Sequence, residues 1–439
     1  MGLKIHIRLL LILYLFFAIG YSVLIPIWEA PDEPAHYQLV LSIARTGQKP
    51  SLENNYEAHQ PQLYYRLASL PITMLDRIDP TYVEYFAPEQ RSWRSVPYYD
   101  WNAGNYRLLM GVMVLRIFNL LLGSGSIYLM YLAIRLIFPN DSGVVASTIS
   151  FIALLPQFLH NISTVNNDAM SILAGALLFL LAARICRDHA KDFEKVLAAF
   201  LAILLPITIK LTLIPISITA VLLVIWHYRK RWQIWAFIAF VFLTTMLIAS
   251  QTSYSPQHII TRIFLDIHPD VSKRPLWQMI GLFAWSFWGK IGWLNLEALG
   301  LPIALITLLS LLAFGGAATN LWQTFRKQSK PTNTDIPIQR VGLLCGPEYR
   351  QCRSMLWLAT TLALISAARF AIAEHQFQGR FLFPTITPMA LIIVTGWASI
   401  NPQKYSAYLF PLTLAIMVLL NLYLWFFKII PVFYQPLLG

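Results

Sequence analysis

Three carboxylates and a histidine follow the first apolar stretch of the chain in the segment WEAPDEPAHYQ, which begins at residue 28. The longer segment PDEPAHYQLVLSIARTG predicts a short amphipathic helix with Pro34 near its first position and Gly47 at its end. Asp32 and Glu33 then lie at the helix N-terminus, where unpaired N–H groups and the helix dipole favour ionised carboxylates. Such a carboxylate could accept a proton from an attacking hydroxyl group or help to hold a divalent cation, and His36 could hydrogen-bond the acidic pair. The alternative is that Asp32 only caps the helix.

A second polar group lies further along the same loop. In AHQPQLYYRLA, residues 58–68, His59 and Gln60 precede a proline and an aromatic helix that contains Tyr64. Two predicted helix starts, each preceded by polar side chains, therefore share one loop. His59 is a candidate for ligand binding, although a turn histidine packed between tyrosines would need no function.

Two cationic side chains occur in apolar surroundings. Lys210 stands between two short apolar helices in PITIKLTLIPI, and Arg380 stands at a helix start in EHQFQGRFLFP. Ionisable residues in membrane segments are costly and are functional candidates by default. The lysine could neutralise a phosphate, and the guanidinium could bind one bidentately. The alternatives are a lysine that snorkels to the membrane surface and an arginine that only anchors its helix there.

Further polar residues start or end predicted helices. Asn166, Asn167 and Asp168 begin one helix, and a cap is the simplest explanation for them. The topology given below places them on the same membrane face as the first loop, so that they could also bind a ligand. Glu374 and His375 share that face.

The elements that must position these residues are membrane helices. The chain is 57% hydrophobic, 12% charged and has a mean hydropathy of +0.57, which predicts an all-α polytopic membrane protein. A spanning helix needs roughly 20 apolar residues. This criterion predicts eleven transmembrane helices, near residues 8–27, 107–137, 143–160, 169–185, 196–209, 211–227, 232–250, 299–322, 355–373, 381–399 and 407–427. The prediction is a single membrane domain, 1–439, whose long first loop, 28–106, carries juxtamembrane helices.

The distribution of positive charge predicts the orientation. Lys and Arg cluster in alternate short loops, among them HYRKRW around Arg229, and the positive-inside rule places these loops in the cytoplasm. The N-terminus is then cytoplasmic and the 28–106 loop extracytoplasmic, as in an integral protein of a bacterial inner or plasma membrane. These loops account for much of the net charge of +12, and no basic block typical of nucleic-acid binding occurs.

The polar motifs together resemble a known superfamily. An acidic pair after the first membrane helix, followed by His-x-Pro-x-Leu-Tyr-Tyr, is similar to the GT-C superfamily of polyprenyl-phosphate-sugar-dependent glycosyltransferases, in which protein mannosyltransferases and lipid A aminoarabinose transferases have HPPLYY. The chain resembles more closely an uncharacterised bacterial group of membrane proteins within that superfamily. The matching segments are PDEPAHY (31–37), TVNNDAM (164–170), KLT (210–212), SFWGKIGW (286–293) and QGRFLFP (378–384). Gln60 and Gln62 depart from the HPPLYY pattern.

The resemblance implies an inverting sugar transfer from a polyprenyl-phosphate donor, with 28–106 as the catalytic loop. It implies that Asp32 is the base that activates the acceptor and that Glu33 is its orienting or metal-binding neighbour. The remaining candidates would bind substrates: His36, His59, Gln60, Tyr64, Asn167, Asp168, Lys210, Glu374, His375 and Arg380. No cofactor is firmly indicated beyond a divalent cation, Mg²⁺ or Mn²⁺, that the acidic pair could help to hold. Membrane lipids surround the site, and the acceptor class, whether glycan, lipid or protein, stays open.

Two other functions are compatible with the sequence. One is a transporter or lipid flippase, although transporters tend to place charges near the bilayer midplane and to contain inverted repeats. The other is a non-catalytic scaffold for envelope assembly, which would tolerate loss of the Asp32 charge. The enzyme hypothesis makes a geometric prediction: Asp32, His59, Lys210 and Arg380 should converge at one outward-facing site that opens to lipid.

Overall fold

A computed structural model describes residues 2–78, 106–250, 275–292, 296–297, 300–327, 349–374, 376–400 and 408–434 of the chain. Residues 79–105 of the predicted catalytic loop and His375 lie outside the described residues. The helices, in chain order, are α1 (Gly2–Leu24), α2 (Glu33–Thr46), α3 (Leu63–Ile78), α4 (Tyr106–Ile137), α5 (Ser142–Ala153), α6 (Pro156–Ile162), α7 (Asp168–Cys186), α8 (Asp192–Thr208), α9 (Ile214–His227), α10 (Trp232–Ser250), α11 (Leu276–Trp288), α12 (Gly300–Lys327), α13 (Arg350–Glu374), α14 (Ile386–Ile400), α15 (Leu409–Leu424) and α16 (Ile430–Tyr434).

Short non-α segments join several of these helices. Tyr56–His59, Leu211–Leu213 and Gly379–Thr385 are 3₁₀ turns, and a π-helical turn, Trp425–Ile429, connects α15 to α16. In the described part of the chain, strands form one two-residue antiparallel ribbon, in which Lys290 pairs with Glu297. The all-α fold class is therefore confirmed.

Each of the eleven predicted apolar segments coincides with helical structure, but the helices differ in length. Among the described residues, six stretches are long and apolar enough to cross a membrane: Ile7–Leu24, Leu108–Ile137, Asp168–Cys186, Arg350–Glu374, Gly379–Ala398 and Leu409–Tyr434. The pair α5 and α6 would make a seventh if it is one broken span. Helices α8 and α9 have only 17 and 14 residues, so at 1.5 Å per residue neither reaches the roughly 30 Å of a bilayer core. Eleven spans thus stays a prediction.

The break between α5 and α6 follows from Pro156. Proline has no N–H to donate and disfavours helical backbone at the preceding residue, and Leu155 is accordingly extended, with φ −65° and ψ 119°. The two helices diverge by 57°. Asn421 in α15 donates its side-chain amide to the carbonyl of Leu154 at 2.7 Å, so the polar backbone at the break is satisfied within the bundle.

Two loop helices rest on the beginning of α4. Helix α2 packs against α3 through an apolar cluster that includes Val40, Tyr65 and Leu115, all fully buried. The burial of this cluster provides a hydrophobic anchor for the segment before α2. The loop that contains Asp32 is therefore held against the helical bundle.

Two glycines allow the 3₁₀ turn Gly379–Thr385 to approach its neighbours. A Cβ atom on Gly175 of α7 would overlap the backbone carbonyl of Pro384, and one on Gly379 would overlap the backbone of Phe287 in α11. Because backbone atoms cannot move aside as a flexible side chain can, the small residues at 175 and 379 fix how closely this turn lies on α7 and α11. The position of Arg380 depends on that approach.

We expect the substitution Gly175→Ala to displace the 379–385 turn and to lower the free energy of unfolding by about 1–3 kcal/mol, as overpacking does in a close-packed core. Thermal unfolding in detergent or nanodiscs measures the change. Gly281→Ala is the matched control, because a Cβ at that helical glycine meets no atom within 4 Å. Equal melting temperatures for the two variants would contradict the close approach.

Candidate functional site

Asp32 occupies a strained backbone position just before α2. Its φ is 64°, in the left-handed region, and Trp28 four residues earlier has a φ of 71°. Non-glycine residues adopt this conformation at a cost of roughly 1–2 kcal/mol, and such residues cluster at functional sites. The Asp32 side chain makes no capping hydrogen bond to α2. The alternative that Asp32 only caps the helix is therefore wrong.

The Asp32 carboxylate instead binds two side chains from other segments. Tyr56 donates its hydroxyl to Oδ1 at 3.0 Å, and Arg380 donates from Nη2 to Oδ2 at 3.3 Å. Burial acts to raise the pKa of Asp32, but the Arg380 guanidinium, His36 and the Tyr56 hydroxyl together hold that pKa below its ordinary value. About a quarter of the side chain (26%) stays exposed. Asp32 is therefore an ionised carboxylate that is both bound and accessible.

Arg380 is held by the 3₁₀ turn that Gly379 begins. The backbone N–H of Gly379 donates to Ser286 Oγ at 2.7 Å, and the Ser286 hydroxyl donates to the carbonyl of Phe377 at 3.1 Å. The guanidinium then lies between two carboxylates, because its Nη1 atom is 4.0 Å from Asp168 Oδ2. Only 12% of its side chain is exposed.

Lys210 projects from the non-helical residue between α8 and α9. Its ammonium group donates to Asn167 Oδ1 at 2.8 Å and forms a short ion pair with Asp168 Oδ1. Asp168 is the first residue of α7, where the helix dipole favours a negative charge. The N-cap residue of α7, Asn167, makes no side-chain capping hydrogen bond; the residue before it, Asn166, accepts from the N–H of Asp168 through its side-chain oxygen at 2.9 Å. The side chains of Asn167 and Asp168 instead bind Lys210.

Asn167 links the Lys210–Asp168 ion pair to the first loop. Its side-chain amide donates to Gln60 Oε1 at 3.1 Å, and the Gln60 amide donates to His59 Nε2 at 3.2 Å. His59 Nδ1 donates to the carbonyl of Tyr56 at 2.7 Å. Because a carbonyl oxygen only accepts, Nδ1 carries a hydrogen.

These contacts close a circle of side chains that we call the polar ring. In order around the ring its members are Tyr56, Asp32, Arg380, Asp168, Lys210, Asn167, Gln60 and His59, which returns to Tyr56. The structure brings together Asp32, His59, Lys210 and Arg380, although Asp32 and Arg380 are 348 residues apart in sequence. With two carboxylates and two cationic groups, the ring has no net charge.

Glu33 points away from the polar ring. It is fully buried and accepts from Arg116 Nε and Nη2 at 2.9 and 2.8 Å, from the N–H of Val165 at 2.9 Å and from the N–H of Trp28 at 3.1 Å. Both oxygens are therefore occupied by groups of the fold. The assignment of Glu33 as a catalytic or metal-binding residue is corrected to a structural one, because adjacent residues at the start of α2 point in different directions.

Arg116 is a residue that the sequence analysis missed. It is fully buried in α4 and also donates to the carbonyl of Ser22 in the last turn of α1 at 2.6 Å and to that of Ile25 just after α1 at 2.8 Å. An arginine within an apolar segment is itself the signal that could have found it. Together Glu33 and Arg116 fasten the end of α1 to the start of α2.

Tyr64 and His36 lie beneath the ring. Tyr64 is fully buried and donates its hydroxyl to Asn119 Oδ1 at 3.0 Å, so it supports the loop and is not placed to bind a substrate. His36 Nδ1 is 2.7 Å from the hydroxyl of Tyr65, and the two rings stack. Burial lowers the pKa of His36 despite nearby carboxylates. His36 thus backs the acidic side of the ring without a direct bond to it.

The remaining predicted residues are Glu374 and His375. Glu374 is the last residue of α13 and is partly buried, and its part in the site stays a prediction. His375, which was predicted to bind a substrate, lies outside the described residues. Within the described ranges, no three His, Cys, Asp or Glu side chains are grouped to hold a metal ion. Since both ring carboxylates bind cationic side chains, the ring offers Mg²⁺ or Mn²⁺ no ready set of ligands.

Two buried nitrogen atoms near Asp168, Arg380 Nε and His160 Nε2, have no hydrogen-bond partner among the described residues. The carboxylate of Asp168 itself accepts a hydrogen bond from the side chain of Asn161. Native proteins leave few buried polar atoms unsatisfied, and those that remain commonly mark functional groups. The ring thus has a donor of its own, Arg380 Nε, without a described partner, whereas the Glu33–Arg116 pair is satisfied by the fold; this difference indicates a binding site at the ring.

Comparisons with models of protein families, with curated proteins and with solved structures found no match to this chain. A function is therefore inferred from the geometry of the polar ring and from the motifs that supply it.

Breaking the Glu33–Arg116 pair should unfold the loop anchor. Arg116→Leu leaves a buried carboxylate without its partner, which typically costs about 3–5 kcal/mol, and we expect a correspondingly large fall in melting temperature. Arg135→Leu in the same helix is the control, because Arg135 is exposed. Equal stability of the two variants, measured by thermal unfolding, would show that the pair does not hold the loop.

Proposed function

We propose that the protein is an inverting glycosyltransferase of the GT-C type, which transfers a sugar from a polyprenyl-phosphate donor to an acceptor hydroxyl. The observation that carries the proposal is the polar ring, in which the carboxylate of Asp32 is bound to Arg380, with Lys210 on the far side of Asp168. A base and two cationic groups are what such a reaction requires of the protein. Their place at one end of an apolar bundle suits a donor that is anchored in lipid.

The proposed reaction forms one bond and breaks one. The acceptor oxygen attacks the anomeric carbon from the side opposite to the phosphate, and the bond between that carbon and the phosphate oxygen breaks. The acceptor proton passes to Asp32, and the lipid phosphate leaves with the bonding electron pair. Arg380 and Lys210 would stabilise the negative charge that grows on it.

A single carboxylate is sufficient for this chemistry. Glycosidases use two carboxyl groups because one of them protonates the leaving sugar oxygen. A phosphate leaves as a stable anion, so no second acid is needed. Asp168 then has a different part, which is to hold Lys210 and Arg380 in place.

The distribution of charge supports an extracytoplasmic site. The polar ring lies where α7 and the 379–385 turn begin and where α8 ends. Arg184 near the end of α7, Lys191 just before α8 and Arg231 after α9 lie at the opposite ends of these helices. If the positive-inside rule holds, the N-terminus is cytoplasmic and the polar ring extracytoplasmic, in a bacterial inner membrane crossed by up to eleven helices.

The substitution Asp32→Asn removes the negative charge with little change of shape. It should abolish sugar transfer and preserve the fold. Loss of a general base typically reduces the rate by about 10²–10⁴-fold. The assay supplies purified protein in nanodiscs with a panel of polyprenyl-phosphate sugars and with glycan, lipid and peptide acceptors, and mass spectrometry measures free polyprenyl phosphate.

Glu53→Gln is the control, since it removes an exposed carboxylate from the same loop. Consumption of every donor at equal rates by wild type and Asp32→Asn would end the catalytic assignment. Movement of an intact donor between leaflets without sugar transfer would favour the flippase alternative.

A further inference from the structure

We propose that Asp32 and the donor phosphate compete for Arg380, so that arrival of the phosphate displaces Asp32 and frees its carboxylate to accept the acceptor proton. The inference rests on the proposed function. It describes in addition which groups bind Arg380 before the donor arrives. It makes Asp32 an occupant of the phosphate position in the resting protein. No bond other than hydrogen bonds changes in this exchange.

The charge balance of the polar ring requires some such exchange. Asp32 and Asp168 already neutralise Arg380 and Lys210. A phosphate monoester or diester adds at least one negative charge to this neutral group. In partly desolvated surroundings an uncompensated charge is costly, so the phosphate must take a cationic partner from one of the carboxylates.

The distances indicate which carboxylate yields. Charge-assisted hydrogen bonds are typically about 2.7–2.9 Å long, and Lys210 binds Asp168 and Asn167 at least this closely. Arg380 is 3.3 Å from Asp32 and 4.0 Å from Asp168. Its Nε atom also lacks a hydrogen-bond partner among the described residues. The guanidinium is therefore the more weakly held cation and has donors to offer.

The exposed fractions of the two carboxylates also indicate that Asp32 is the one displaced. The Asp168 side chain is 6% exposed, whereas that of Asp32 is 26% exposed. If the phosphate took Lys210 from Asp168, a buried carboxylate would keep, of its described cationic contacts, only that to Arg380 at 4.0 Å, but displaced Asp32 can be hydrated and keeps its bond from the Tyr56 hydroxyl. The exchange is accordingly least costly at the Asp32–Arg380 contact.

The exchange explains how one arginine can serve a base and a phosphate. While Arg380 binds Asp32, the guanidinium stabilises the ionised carboxylate and makes it a weak base. A phosphate that shares the guanidinium reduces this stabilisation and strengthens the base. Asp32 thus becomes basic when the anomeric carbon is present, and it stays unreactive in the empty site.

Binding of a short-chain polyprenyl phosphate to the protein in nanodiscs tests the exchange. Asp32→Asn removes the competing charge with little change of shape, and Asn tolerates the left-handed backbone at residue 32. We expect this variant to bind the lipid phosphate about three- to fivefold more tightly than wild type, the upper part of the range expected for loss of one partly exposed ionic competitor. Glu53→Gln should bind like wild type.

A double-mutant cycle separates competition at Arg380 from a general loss of negative charge. In an Arg380→Gln background, Asp32→Asn should give less than about a twofold gain in affinity, because the contested group is gone. The corresponding polyprenol without phosphate should bind all variants equally. An unchanged or weaker affinity of Asp32→Asn, or an equal gain in both backgrounds, would overturn the exchange.

The outcomes also distinguish this inference from the proposed function. If wild type binds polyprenyl phosphate and transfers sugar but Asp32→Asn gains no affinity, only the exchange is wrong. If neither protein binds polyprenyl phosphate, the proposed function and the exchange both fail.

Discussion

A charge inside an apolar bundle must have a partner, and this constraint organises the part of the molecule around the first loop. Removing an ion from water costs several kcal/mol even after the surroundings relax. The described structure meets that cost with two groups of charges, Glu33 with Arg116 and the polar ring. Each group joins segments far apart in sequence, so the same contacts that neutralise charge also fix how the loop, α4, α7 and the 379–385 turn meet.

The two groups differ in how fully their polar atoms are hydrogen-bonded. This difference distinguishes the structural Glu33–Arg116 pair from the candidate binding site at the polar ring. Glu33 and Arg116 are fully buried, and Arg116 also donates to backbone carbonyls at the end of α1. The polar ring is partly exposed, contains an arginine at longer distances from its carboxylates and adjoins buried polar atoms without described partners. A complete network resists change, whereas an incomplete one retains the capacity to bind something else.

The sequence predicted the helices and the meeting of distant polar residues because both follow from local rules. Apolar length predicts a helix, and charge distribution predicts which helix ends share a membrane face. Neither rule reports where a particular side chain points, so Glu33 could not be separated from Asp32, or Tyr64 from Gln60. Arg116 and Tyr56 were missed for the same reason, since their importance lies in partners at residues 33 and 32. The number of spans stays a prediction: six stretches of the described residues are long and apolar enough to cross a membrane, and the break at Pro156 divides a segment that composition alone treats as one helix.

The strained backbone at Asp32 connects the scaffold to the chemistry. The peptide before α2 must deliver Glu33 inward to Arg116, and the left-handed conformation of Asp32 is compatible with that direction while its own side chain turns toward Tyr56 and Arg380. The hydrogen bonds that Glu33 accepts from Arg116, Val165 and Trp28 then hold the strained residue in place, as is usual where strain persists at a functional position. A carboxylate held by the backbone in this way can exchange its cationic partner without moving far. Because the Glu33–Arg116 pair holds the loop in place, the Asp32–Arg380 pair can be weak without loss of the fold. The proposed chemistry acts on this weaker pair.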